Sequence, residues 1–125
     1  MKQTDETKIR EAREQLEILK EQRGGSVLSI HKKMANDPKL LKAFSQQFAI
    51  CKQDIEEIPP KYMELMLMIM GCAAGNEVTI KTHGELAMKK GATLGEVGEA
   101  LRLVFFYFGA SAVIPGVQLF EEVIE

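Results

Sequence analysis

The sequence predicts an all-α protein of six or seven helices. Three observations carry that expectation. No stretch shows sustained period-2 alternation bounded by hairpin turns. Helix-length segments are marked off by breakers and caps: Gly24-Gly25, Asp37-Pro38, Pro59-Pro60, Gly75-Asn76, Gly91 and Gly109. The segment from Tyr62 to Ala74 is apolar on nearly every side, with Glu64 as its one charged residue, as in a helix at the centre of a domain or of an assembly.

In chain order, residues 1–25 read as an amphipathic helical arm with Ile9, Ala12, Leu16 and Leu19 on one stripe. Residues 26–125 read as the helical domain proper. Ser26 is placed to cap a short helix carrying Val27, Leu28, Ile30 and Met34 inward, with His31 at the surface among lysines. Asp37-Pro38 restarts the chain, with a cap residue followed by proline at the first helical position. The helix that follows runs to about Lys52 with Leu40, Leu41, Phe44, Phe48 and Cys51 on one side. Pro59-Pro60 opens the central helix, Asn76 caps the next, and Thr93 with Glu96 forms a capping box for another. A last helix is expected beyond Gly109, ending in Glu121, Glu122 and Glu125.

Size and charge exclude several classes. The 125 residues suit one domain, and a net charge of −2 leaves no electrostatic footprint for nucleic acid or an anionic membrane. No uninterrupted apolar run is long enough to span a bilayer, and the start of the chain is charged. Cys51 and Cys72 do not form a disulfide framework, so a cytoplasmic setting with reduced thiols is expected. The two histidines, His31 and His83, lie far apart with no cysteine cluster near them, so no metal site is expected.

The chemistry centres on Glu64 and His83. A lone carboxylate in an apolar helix is costly unless paired or protonated, and burial favours the neutral form near physiological pH. Glu64 lies 11 residues before Gly75 and His83 lies 8 after it. In an antiparallel hairpin, at about 1.5 Å per residue, the two are level to within about 4–5 Å. The ordinary alternative for each is a structural role in the core or at an interface. Arg102 is a candidate partner for Glu64 or for a substrate carboxylate, through its fork of donors, or else a surface residue. Cys72, among Met70, Ala73 and Ala74, reads as a buried thiol. Phe105 to Phe108 cannot all face one side of a helix, which points to a surface shared between subunits.

These residues resemble the carboxymuconolactone decarboxylase / alkylhydroperoxidase D-like family. The resemblance covers about residues 27–124 and is strongest over residues 58–93. Redox members of that family carry Glu-x11-Cys-x2-Cys-x3-His followed by a Gly-Ala-Thr turn. Here Glu64, Asn76, Thr79 and His83 stand at those spacings, followed by Gly91-Ala92-Thr93. Asn76 and Thr79 thus replace both redox cysteines, and neither an amide nor a hydroxyl supplies the thiolate and resolving thiol of that mechanism. The resemblance implies an alkylhydroperoxidase D-like helical bundle assembled as a homo-oligomer, a trimer or hexamer. The decarboxylase branch works without the cysteine pair and without a metal or organic cofactor. It implies a lyase or isomerase for a small carboxylate compound, with Glu64 and His83 sharing proton transfer and Arg102, Asn76 and Thr79 placed toward substrate. Two other readings stand beside it: a thiol peroxidase using Cys72 in a displaced position, and a non-catalytic helical oligomer that binds or scaffolds.

Overall fold

The computed structural model describes residues 1–124, which hold seven α-helices and no strand. They fall into two compact units, one of residues 1–56 and one beginning at Glu57.

The first unit contains α1 (Glu6–Gln22), α2 (Ser29–Met34) and α3 (Pro38–Phe48). Asp5 caps α1, its carboxylate accepting from the backbone N–H groups of Thr7 and Lys8. The helix expected as an arm packs on α3 within this unit. It buries Ala12 and Leu19, while α3 buries Leu41 and Ser45. The Ser45 hydroxyl donates to Gln22 Oε1 at 2.9 Å, and the Gln53 amide donates to the Gln22 carbonyl at 2.6 Å, holding the end of α1.

Three expectations are corrected here. The cap of α2 is Leu28 and not Ser26. Leu28 and Ile30 are exposed, whereas His31, expected at the surface, is buried. The reason is local: His31 Nδ1 accepts the Leu28 N–H at 2.9 Å, meeting an otherwise orphaned donor at the helix start, and the ring packs on Phe44. Beyond Phe48 the backbone widens into a π-helical turn, Ala49–Gln53, closed by the Asp54 N–H on the Ala49 carbonyl. Cys51 within that turn is exposed, as is Leu40 on the outer side of α3.

The second unit contains α4 (Pro60–Ala74), α5 (Glu77–Lys89), α6 (Leu94–Phe108) and α7 (Ala110–Gly116), followed by a 3-10 turn at Val117–Leu119. The chain therefore leaves helical geometry before Glu121 and Glu122, and Glu125 lies outside the described residues. Helices α4 and α5 form an antiparallel hairpin with the most extensive helix–helix contact in the chain. Gly75 turns it at φ 66°, and the Asn76 N–H reaches back to the Gly71 carbonyl at 2.9 Å, a Schellman closure. Gly71 lets the helices approach closely, since a Cβ there would stand 3.0 Å from the Ile80 backbone nitrogen and from the Thr79 methyl. Asn76 caps α5 by accepting the Thr79 N–H at 3.0 Å. The expected capping box is present, with Thr93 and Glu96 each accepting the other's backbone N–H at 3.0 Å. The core contains Leu65, Met68, Cys72, Ile80, Val97 and Leu101 among others. Helix α4 is not enclosed on all sides: Tyr62, Met66 and Met70, at i, i+4 and i+8, form an exposed apolar stripe.

His31 makes the first unit sensitive to acid. Burial, and secondarily the Arg23 charge, hold its pKa below the ordinary 6.5. The unfolded chain therefore takes up a proton that the folded chain resists. The stabilisation is complete above about pH 6.5 and is lost as pH falls through the folded value. Urea unfolding at pH 7.5 and 5.5 is expected to show a smaller loss of stability on acidification in His31→Gln than in the wild type.

Candidate functional site

The α4–α5 hairpin brings Glu64 and His83 into contact. His83 Nδ1 lies 2.5 Å from Glu64 Oε2, and Lys90 Nζ lies 2.6 Å from Oε1. The Glu64 side chain is 0% exposed, His83 is 18% exposed and Lys90 is 34% exposed. The arrangement is graded, from an enclosed carboxylate to an imidazole whose edge reaches the surface to an ammonium at the rim. The Lys90 ammonium donates to Oε1. Nδ1 is the ring nitrogen that faces Oε2, so Nε2 is the nitrogen not engaged by Glu64.

Helix α5 sets the geometry. His83 and Lys90 are seven residues apart, two turns along the same face, with Ala87 buried between them. Helix side chains lean toward the N-terminus, so Lys90 reaches back from the helix end toward Glu64. The chain around Lys90 is fixed by a second Schellman closure, in which the Ala92 N–H bonds the Ala87 carbonyl at 2.9 Å.

Lys90 is the member that sequence reasoning missed. Arg102, the cation that the sequence offers for Glu64, lies elsewhere. Its side chain is 79% exposed, and it lies 3.7 Å from Glu99 one turn away. The buried stripe of α6 is Val97, Ala100, Leu101 and Val104, so the residue after Leu101 faces outward. Lys90 reads in sequence as a cation complementing the helix dipole. The signal that would have found it is the i, i+7 spacing from His83.

Asn76 is exposed and Thr79 half-buried, on the turns of α5 preceding His83. Cys72 lies behind the pair in the core, 1% exposed, with Sγ packed beside Gly116. Burial pushes its thiol pKa up, away from the thiolate. Among the described residues no group of His, Cys, Asp or Glu comes together to hold a metal ion, and no helix is long and apolar enough to cross a membrane. Two surface cavities stand out, one of about 540 Å³ near Arg13 and Lys33, the other of about 560 Å³ near Ile80 and Leu119. Neither is lined by Glu64, His83 or Lys90.

The family model for the carboxymuconolactone decarboxylase family matches residues 38–122, from the first residue of α3 past the 3-10 turn. The chain belongs to the carboxymuconolactone decarboxylase family. No curated relative and no solved structure gives a significant match. Family membership accords with the all-helical architecture, and this carboxymuconolactone decarboxylase-family chain carries Asn76 as a helix cap, its Oδ1 occupied by the Thr79 N–H.

Removing Glu64 tests how much of the hairpin depends on it. Glu64→Ala strands Lys90 and His83 beside a cavity, and losing one member of a buried charged pair costs about 3–5 kcal/mol. Glu64→Gln retains shape and hydrogen bonding and is expected to lose clearly less. Chemical denaturation of both variants measures the difference, and equal losses would mean that shape and charge are not separable here.

Proposed function

We propose that this protein is an acid–base lyase or isomerase for a small carboxylate-bearing compound, working without a cofactor. The observation that carries this reading is the 2.5 Å contact between a fully enclosed Glu64 and an imidazole that reaches the surface. Glu64 has no exposed surface and so acts through His83, fixing the ring's tautomer and orientation. His83 Nε2 meets the substrate. It removes a proton from carbon next to a carbonyl and returns it to a neighbouring carbon, which is an isomerisation. Alternatively, the ring first takes a proton from solvent; when the substrate's carboxylate departs as carbon dioxide, that imidazolium protonates the carbanion left behind and returns to the neutral form.

Substrate contacts are assigned on the same helix face. The Asn76 amide nitrogen and the Thr79 hydroxyl stand one to two turns before His83 and offer donors to a carboxylate. Arg102 is the weaker candidate for that role, its guanidinium lying at the surface beside Glu99. The thiol reading is opposed by the burial of Cys72 and by its raised pKa. A cytoplasmic setting suits two unpaired thiols, Cys51 and Cys72.

Assembly belongs to the same proposal. Tyr62, Met66 and Met70 on α4, together with Phe105, Phe106, Tyr107 and Phe108 on α6, leave large apolar side chains in water. A surface of this kind marks an interaction site, and a homo-oligomer, trimeric or hexameric as in the family, covers it. Sedimentation at micromolar concentration is expected to show that oligomer; a compact monomer would overturn the assignment.

The activity is tested with a panel of small lactone and keto carboxylates, followed by NMR for loss of carbon dioxide or double-bond migration. Turnover is expected to fall by about 10²–10⁴-fold in His83→Gln, to fall strongly in Glu64→Gln, and to persist in Cys72→Ser. Turnover indifferent to His83→Gln, or peroxide reduction abolished by Cys72→Ser, would sink the acid–base reading.

A further inference from the structure

We propose that the cavity lined by α1, α2 and the residues before α1 is a binding site for a small organic phosphate, a phosphate monoester with an apolar body. The inference goes beyond the acid–base reading and does not depend on it. Every residue that lines this cavity lies between Met1 and Asn36, before the stretch of residues 38–122 that the family model matches. The site belongs to the first unit of the chain and is separate from the Glu64–His83 hairpin.

Two helical faces and a strap form the cavity, of about 540 Å³. From α1 come Ile9, Ala12, Arg13 and Leu16, which share one face at i, i+3, i+4 and i+7. Ser29, Lys32, Lys33 and Asn36 repeat that spacing over α2 and the turn that ends it. The strap is the segment Met1 to Gln3, tied to the end of α2. The Gln3 backbone N–H donates to Asn36 Oδ1 at 2.7 Å, and its side-chain amide donates to the Asn36 carbonyl at 3.1 Å. Asn36 Nδ2 donates in turn to the Lys33 carbonyl at 2.9 Å. The amides at this end of the cavity are thus spent on structure, and the cations are not.

Lys2, Arg13, Lys32 and Lys33 line the cavity, and no carboxylate does. Among the described residues none of these four side chains has an ion pair or a hydrogen bond. In a chain of net charge −2 this is a local excess of positive charge. Like charges gathered on a concave wall repel one another, and an anion seated among them relieves that repulsion. Beneath the cations Ala12 is buried and Ile9 and Leu16 are half-buried, which gives the cavity an apolar floor. A ligand that answers both surfaces carries negative charge at one end and hydrocarbon at the other. Arg13 offers a planar fork for two phosphate oxygens, and the lysines add point charges. A phosphate monoester carries nearly two negative charges at neutral pH, which matches four cations better than a monocarboxylate does. The volume falls in the range of small-molecule pockets, about 300–1,000 Å³, and exceeds what a bare phosphate fills. The concave shape suits a soluble ligand and not the plane of a bilayer.

The test is calorimetric titration of the full chain with hexyl phosphate, beside inorganic phosphate, hexanol and hexanoate. Hexyl phosphate is expected to bind at one saturable site, about 10-fold or more tighter than inorganic phosphate, because the hexyl chain covers the apolar floor. Arg13→Gln, and separately Lys32→Gln with Lys33→Gln, are each expected to weaken it about 10-fold through loss of charge-assisted hydrogen bonds. These positions are exposed, so the fold is retained. Lys89→Gln, an exposed lysine of the second unit, removes the same charge and is expected to leave the affinity unchanged. Backbone amide shifts in the wild type provide a readout free of any variant and are expected to move within residues 9–16 and 29–36. No saturable binding, hexyl phosphate held no more tightly than phosphate or hexanoate, or an equal loss in Lys89→Gln overturns the inference. Co-sedimentation with phosphatidylserine vesicles that is lost in Arg13→Gln would assign these cations to a membrane surface and overturn it as well.

Discussion

The second unit is organised around one electrostatic requirement. A carboxylate has been placed where solvent does not reach it, in a helix that from Met63 onward is otherwise Met, Leu, Ile, Gly, Cys and Ala. Ionised and alone, that group would cost more than the hairpin's packing returns. Its satisfaction by His83 and Lys90 therefore accounts for features that look unrelated. The left-handed turn at Gly75 sets the antiparallel return of the chain. The bare surface of Gly71 lets α5 come close enough for an imidazole to touch the carboxylate. The closure at Gly91 ends α5 where a lysine can lean back along it. Each is a backbone device, and together they place charge.

The same requirement separates enclosed from accessible chemistry. Cys72, one helical turn before the break, has an unpaired thiol but lies among apolar side chains and next to Gly116, so burial holds it in the protonated, unreactive form. His83, one turn into the next helix beyond Thr79, keeps an edge in water. Reactivity in this hairpin follows exposure and partner more than residue type. Where the redox relatives of the family place two cysteines, this chain places a helix cap and a threonine. The cap hydrogen bond between Asn76 and Thr79 keeps the start of α5 well formed without thiol chemistry.

Much of this was legible in the sequence. Breakers and caps at Asp37-Pro38, Gly75-Asn76 and Thr93–Glu96 mark helix ends through fixed local geometry, and local geometry is what sequence encodes most directly. Glu64 and His83 were legible as a level pair because one glycine fixes the fold-back point and counting does the rest. Lys90 was not, because a lysine near a helix end already has a sufficient local explanation in the helix dipole, and nothing local reports a reach across to another helix. Arg102 misled for the complementary reason: it is rare charge in an apolar stretch, yet one residue past Leu101 the helix has turned to solvent. His31 was misread from its lysine neighbours, since a ring nitrogen accepting a single backbone N–H leaves no periodic trace. The π-helical turn after α3 follows from no pattern in Ala49–Gln53.

The hairpin also bears on how the chain reaches its folded form. The contacts from Glu64 to His83 and to Lys90 close over 19 and 26 residues, through one turn whose backbone is preset by glycine. Loop-closure entropy rises only slowly with such lengths, and contacts of short sequence separation form early relative to distant ones. The carboxylate thus meets His83 and Lys90 from within its own supersecondary unit. Burial of Glu64 and its contacts with these two residues are therefore local to one fold-back of the chain, set by the glycine turn between them.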